Sequence, residues 1–260
     1  MIFLLLLYLM DFIEKIAAFE PVSDLEIEKV KFSDREEINY TFQNSLFSSL
    51  IASTKDYYSI ITKTDKNYTT YKLLYFDTPK NRFYIDAHNG RRNRFIVRFK
   101  QCVESNTTFF EVKYINKKGR KRKKKIKVDN IKTVLGKEEI ALLKKVMRKK
   151  KARKLEPRLA CDFKRITIKA KQANDRVIID SEINYTYNDS NTHSLNLSMV
   201  NIKQERFTGA SKFIEILRDN GVRRGQMSYY EQGMSIFASQ KTNFYKEKNS
   251  RINKIIESYD

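Results

Sequence analysis

Between residues 91 and 128, apolar and polar positions alternate in three successive runs. In the first, Phe95, Val97 and Phe99 point one way and Arg94, Ile96, Arg98 and Lys100 the other. In the second, Phe110, Val112 and Tyr114 lie opposite Phe109, Glu111 and Lys113. In the third, Ile126 and Val128 set the apolar face, which puts Lys121, Lys123, Lys125 and Lys127 opposite. A period of two is that of a half-buried strand. Asn106-Thr107 and Lys118-Gly119 supply turns between the runs. The pattern predicts a meander with one apolar side and one densely cationic side.

The flanking chain extends this plan. Residues 11–25, with Pro21, read as a helix and turn. Residues 35–42 read as a strand with Arg35, Glu37 and Asn39 on one face and Ile38, Tyr40 and Phe42 on the other. A helix is expected over Ser45–Ala52, then two strands rich in Tyr, Thr and Ile before Asp77-Thr78-Pro79. A hairpin-like connection through Tyr84 and Asn89-Gly90 leads into the basic meander. The stripe Ile140, Leu143, Val146 and Met147 predicts a helix over 137–154, whose other faces carry Lys144, Lys145 and a run from Arg148 to Lys154. After Pro157 come three strands, ACDFKRITIKA, DRVIIDSEINYTY and SLNLSMVNIKQE. A helix from Ser211 to Arg218 stops at Asn220-Gly221, and a helical segment over 228–236 runs into a polar tail. The sum is an α+β chain with seven or eight antiparallel strands and no linker or internal repeat, read as one domain.

Charge changes what the meander can be. The chain of 260 residues carries 52 Lys and Arg against 31 Asp and Glu, a net charge of +21. Between Lys117 and Lys154 there are 19 basic and 3 acidic residues, so this stretch supplies +16 of the excess. An anionic partner follows from such an imbalance. Like charges on neighbouring strands repel, which leaves three readings of the cationic face: a solvated surface, a nucleic-acid platform, or the interior of a barrel that holds a polyanion.

Two cysteines, Cys102 and Cys161, have neither metal-type spacing nor a disulfide framework and suit a reducing cytoplasm. The opening MIFLLLLYLM is too short to span a bilayer and lacks the basic start and small-residue cleavage site of a signal peptide. It reads either as a buried or membrane-touching helix or as the result of a start codon placed too far upstream. No G-x-x-x-x-G-K-[ST] or G-x-G-x-x-G loop is present, and His88 and His193 have no Cys or His partner at ligand spacing. Phosphate would therefore be held by Lys and Arg side chains. Nothing resembles the aromatic signature of an RRM or the loop of a KH domain, so specific nucleic-acid binding is not expected.

The order of segments resembles the VTC-type polyphosphate polymerase domain, a branch of the CYTH-like triphosphate tunnel metalloenzymes. The pieces are REEINY (35–40), KLLYFDT (72–78), HNGRRNRFIVRFK (88–100), FFEVKYINKKGRKRKKKI (109–126) and LEPRLACDFKRITI (155–168). They continue with DRVIID (175–180), MVNIKQE (199–205), SKFIEIL (211–217) and MSYYEQGM (227–234).

The resemblance implies an antiparallel β-barrel tunnel of about eight strands with helices packed outside. It divides the chain into a helical segment (1–34), a tunnel domain (35–238) and a polar C-terminal tail (239–260). It implies binding of ATP or another triphosphate and of inorganic polyphosphate, with transfer of the γ-phosphoryl group to a chain end assisted by Mn²⁺ or Mg²⁺. The alternative is a catalytically degenerate binding protein. Arg98, Lys100, Lys113, Lys123 and Arg165 fall at the family's catalytic lumen positions, and Arg35, Arg94, Lys121, Lys125, Arg176, Lys203 and Ser228 at substrate-binding ones. Glu111, Glu37, Asp180 and Glu205 are the carboxylates to which a metal role falls. An anionic membrane surface is a further partner that the basic helix admits, for an otherwise cytoplasmic protein.

The chain also departs from the pattern. Asn39 stands where R-x-E-x-K places a lysine, and Ile96 and Lys100 stand at the outer places of K-x-R-x-R. Asn201 replaces the metal-holding acid, and Tyr229 the lysine of a late S-K-Y. An amide oxygen ligates Mg²⁺ or Mn²⁺ without adding charge, so slow or absent turnover is expected.

Overall fold

The computed structural model describes residues 14–23, 36–62, 66–116, 118–147, 154–188, 190–204, 211–237 and 242–257. The apolar opening, Arg35, Glu205 and the basic run 148–153 lie outside them. Its strands are β1 (Pro21–Ser23), β2 (Glu36–Gln43), β3 (Tyr58–Thr62), β4 (Thr69–Asp77), β5 (Phe95–Cys102), β6 (Thr107–Ile115), β7 (Lys121–Val128), β8 (Glu156–Ala170), β9 (Asp175–Tyr187), β10 (Asn191–Leu195) and β11 (Leu197–Gln204). Its helices are α1 (Phe47–Ala52), α2 (Arg82–His88), α3 (Lys137–Val146), α4 (Lys212–Asp219), α5 (Tyr229–Phe237) and α6 (Lys246–Glu257).

The strands form one sheet whose main path runs β2-β11-β9-β8-β4-β5-β6-β7, every pairing along it antiparallel. Side chains from β2 at one end of this path and from β6 near the other line a common cavity, so the sheet curls around it. The curl does not close by hydrogen bonding, because β2 and β7 end the path without pairing to each other. The free edge of β2 is instead met by the chain before α5: the Gly225 N–H donates to the Asn39 carbonyl at 2.9 Å.

Alternation sorts each strand between two environments. Outward-facing Phe99, Phe110, Val112 and Val128 pack with Leu142, Leu143 and Met147 beneath α3. Ile38, Tyr40, Phe42, Ile166, Ile179, Val200 and Ile202 pack with residues of α1 and α4. Burying such side chains contributes roughly 1.5–3 kcal/mol each. The register keeps the meander's polar face together: Arg98 lies opposite Glu111, Glu111 opposite Lys125, and Lys113 opposite Lys123.

α5 covers one end of the inner face, with Met227, Tyr230 and Met234 packed among Tyr75, Leu159, Cys161 and Tyr185. Gly233 makes this approach possible, since a Cβ there would lie 2.5 Å from Leu159 Cδ2 and 2.8 Å from Tyr185 Cδ1. So α5 sits within the curl while α1, α3 and α4 cover its outside.

Several local expectations change. Residues 82–88 form helix α2 where a hairpin-like connection was expected. Its first turn is held by Asp77, which accepts the Phe83 and Tyr84 N–H groups, both at 2.9 Å. Residues 21–23 form a strand that pairs in parallel with β3. The stretch SLNLSMVNIKQE is split at Asn196 between β10 and β11. α3 stops at Val146, where Met147 turns extended (φ −112°, ψ 149°). Residues 246–257, read from sequence as polar tail, are α6, whose Ile252 is buried in the same cluster as Met234. His88 is structural: its Nε2 accepts the Phe244 N–H at 3.0 Å. Among the described residues no helix is long and apolar enough to cross a membrane.

Candidate functional site: a cationic lumen

A cavity of about 290 Å³ opens inside the curl. Arg98 of β5, Lys113 of β6, Arg165 of β8 and Lys203 of β11 reach it as cations, and Glu37 of β2 and Asp180 of β9 as carboxylates. Asn39, Asn201, Ser228 and Tyr229 complete its polar lining, with Tyr75, Ile96 and Met227 among the apolar residues. A smaller pocket of about 110 Å³ lies on the far side of Arg165, lined by Arg165, Arg176, Thr69, Thr167 and Tyr71.

Two guanidinium forks organise the charge. Arg98 donates from Nε and Nη2 to Glu111 Oε2 at 2.9 and 2.7 Å, and from Nη1 to the Tyr75 hydroxyl at 3.2 Å. Arg165 donates from Nε and Nη2 to the two oxygens of Asp180, each at 2.6 Å. The Tyr229 hydroxyl also donates to Asp180 Oδ2, and the Tyr229 ring stacks on Phe163 with centroids 4.8 Å apart. The Arg165–Asp180 pair is bidentate, which fixes the planes of both partners, whereas Arg98 places two N–H groups on one oxygen of Glu111. Burial pushes the Glu111 carboxyl up, but the charge and hydrogen bonds of Arg98, with the charges of Lys113 and Lys123, together hold it below the usual carboxylate range. Burial likewise works against the Arg165 charge, and the charge and hydrogen bonds of Asp180, with Tyr229 and Tyr71, together more than offset it.

The lysines of this face are not balanced in that way. Lys113 is lowered to about 7, first by the neighbouring Arg98 charge and then by burial. Lys100 is lowered to about 6 by burial and by the charges of Arg165 and Arg98. Its ammonium lies 4.0 Å from the centre of the Tyr71 ring. Neither lysine has an ion pair among the described residues. An anion in the lumen would supply the counter-charge that Lys113 lacks and restore its ammonium group.

Of the residues singled out from sequence, Arg98, Lys113, Arg165, Lys203, Ser228, Glu37, Asp180 and Asn201 meet at one cavity. Arg176 faces the adjoining pocket. Ser228 also begins α5, its carbonyl accepting the Gln232 N–H at 2.9 Å. Lys100 shares the strand face but is not part of the larger cavity's lining. Lys123 stands at the rim, 51% exposed, 3.9 Å from Glu111 Oε1. Lys121 and Lys125 are exposed on β7, and Lys125 covers the Phe109 ring at 3.9 Å. Arg94 lies before β5, away from the cavity lining.

Sequence reasoning missed the aromatic residues of the two cavities, Tyr75 in the larger and Tyr71 in the smaller. The signal was present in β4, where Tyr71, Leu73 and Tyr75 recur at period two. It also missed that Asn39 and Asn201 lie directly opposite in register, Asn201 Nδ2 donating to Asn39 Oδ1 at 2.9 Å.

Among the described residues the carboxylates do not fit a divalent metal; Glu205 lies outside them. Glu111 and Asp180 are each taken by an arginine fork, and Glu37 faces Lys203 at 3.9 Å. Among the described residues no three His, Cys, Asp or Glu side chains converge to hold a metal ion.

Solved structures with a similar outline include a putative adenylyl cyclase from Hippeastrum with dominant triphosphatase activity. It is 10% identical, with a TM-score of 0.49, over 76% of this chain and 94% of that one. A putative adenylate cyclase from Bacillus halodurans is 13% identical with a TM-score of 0.48, over 79% of this chain and 99% of that one. A Pyrococcus horikoshii protein is 13% identical with a TM-score of 0.41, over 76% and 97%. Comparison with curated proteins gives no match. The model of the VTC domain matches residues 34–238. With most of its length matched, and with the curled antiparallel sheet and basic lumen described above, the chain belongs to the VTC domain family.

Proposed function

We propose that this protein binds the triphosphate of a nucleotide or the end of an inorganic polyphosphate chain in its lumen, with little or no phosphoryl transfer. The observation that carries the reading is the convergence of Arg98, Lys113, Arg165 and Lys203 on one cavity that also receives Asn39, Asn201 and Tyr229. Arginine forks suit two oxygens of a phosphate, and lysine follows a point charge. The lumen thus holds an anion well. Transfer needs further neutralisation of the charge that shifts between the phosphates, and position 201 contributes an amide rather than a carboxylate.

The test uses purified full-length protein. Its melting temperature is followed against inorganic tripolyphosphate, ATP and long-chain polyphosphate at rising salt, and ATP with Mn²⁺ or Mg²⁺ is assayed for ADP and polyphosphate. The expected result is a ligand-dependent rise in melting temperature, weakened by salt, with little product. A flat melting temperature across all three ligands overturns the reading. Tighter binding of arbitrary RNA would make nucleic acid the partner, and brisk synthesis would make the protein a polymerase.

A further inference from the structure

We infer that the lumen holds its phosphate ligand through side-chain cations alone, so that a divalent ion weakens binding instead of bridging it. The inference rests on the binding reading above and specifies how the anion's charge is met. Asn39 and Asn201 face each other across β2 and β11 and hydrogen-bond at 2.9 Å, which makes this part of the wall a neutral amide pair. Every described carboxylate near the cavity is already engaged by a cation. Asp180 gives both oxygens to Arg165 at 2.6 Å and also accepts from Tyr229. Glu111 gives Oε2 to Arg98 and turns Oε1 toward Lys123 at 3.9 Å. Glu37 faces Lys203, again at 3.9 Å.

Mg²⁺ sheds its waters reluctantly and is held through one or two carboxylates together with phosphate oxygens. To enter here it would have to displace Lys203 from Glu37, or a guanidinium fork from the buried Glu111 or Asp180, among the cations Arg98, Lys113, Arg165 and Lys203. Breaking a buried pair of that kind leaves an uncompensated charge. In solution Mg²⁺ also binds tripolyphosphate and removes two of its negative charges, which lowers its attraction to a cationic wall.

The experiment is calorimetric titration of the full chain with inorganic tripolyphosphate, once in EDTA and once in excess MgCl₂, at matched ionic strength. Binding in EDTA, and at least threefold weaker binding in MgCl₂, is the expected result. Binding that requires MgCl₂ or is tightened by it overturns the inference while leaving the binding reading intact. No heat under either condition removes the binding reading and this inference with it. The variant Asn201→Glu is expected to reverse the sign, so that MgCl₂ tightens binding. Asn201→Asp serves in its place if the longer side chain prevents folding. A folded carboxylate variant that responds to MgCl₂ as the wild type does overturns the role given to Asn201. The wild-type comparison needs neither variant.

Discussion

The two walls of the lumen handle charge in opposite ways. On the β5–β7 side, Arg98, Lys113 and Lys123 surround a single buried carboxylate, Glu111. On the β2–β11 side, Asn39 and Asn201 bond to each other and the next inward-facing pair, Glu37 and Lys203, is balanced. The first wall is short of negative charge and the second is close to neutral. A ligand that supplies anionic oxygens is drawn to the first wall. A ligand that also needs a metal would look to the second and find amides. On the proposed reading the first wall would hold the anion, while the second offers an amide pair where a metal would need a carboxylate.

Breaking the first wall at its centre has the largest expected effect. Arg98→Ala leaves Glu111, 4% exposed, without its guanidinium. Removing one partner of a buried pair costs about 3–5 kcal/mol, measured by denaturant unfolding at neutral pH, and tripolyphosphate binding should vanish. Arg98→Met with Glu111→Leu should recover most of the stability and none of the binding. A single variant that costs under about 1 kcal/mol would show that the pair is not buried as described.

Next come the unbalanced lysines. Lys113→Gln and Lys100→Gln should leave the ligand-free melting temperature unchanged or raised; Lys113→Gln, in the cavity lining, should weaken tripolyphosphate binding about tenfold or more, and Lys100→Gln, outside it, should weaken it less. The pH dependence sharpens this. An unfolded lysine titrates near ~10.4, whereas the folded values are about 6 for Lys100 and about 7 for Lys113. Between those limits the unfolded chain binds more protons, so ligand-free stability from these groups rises with pH across that window. Binding runs the other way. An anion favours the charged lysines, so affinity should rise as pH falls from 8 toward 6, with protons taken up, which calorimetry in buffers of different ionisation enthalpy reads directly. Affinity flat over that range, or unchanged in both variants, would remove these lysines from the site.

The smallest effect separates the two faces of β7. Lys123 lies opposite Lys113 on the inner face and Lys124 opposite Val112 on the outer. Lys123→Gln should reduce tripolyphosphate affinity about threefold, in the range of an exposed charge, and Lys124→Gln should leave it unchanged. Either should shift stability by less than about 0.5 kcal/mol. Equal losses would mean that the bulk charge of the strand binds, and not its inner face.

Sequence alone determined the faces of β5, β6 and β7, because a strand's period of two assigns every side chain once a few apolar positions anchor the alternation. It also determined the cationic character of the inner face and the order of the tunnel segments. The short helix α2 was not legible, since its first turn is held by Asp77 from the end of β4 rather than by a cap of its own. Nor was α6, whose largely polar sequence is anchored through Ile252 and the preceding Tyr245 in a core built by other elements. Tertiary structure alone decided which departures from the family pattern meet. Asn39 and Asn201 are 162 residues apart, and their hydrogen bond exists only in the register of β2 against β11. Tyr229 reaches Asp180 only because α5 enters the curl, which the absent side chain of Gly233 permits. Alternation is a local property of the chain, but register between distant strands and the depth of a helix are set by packing, and those bring the amides and the arginine forks to the lining of one cavity.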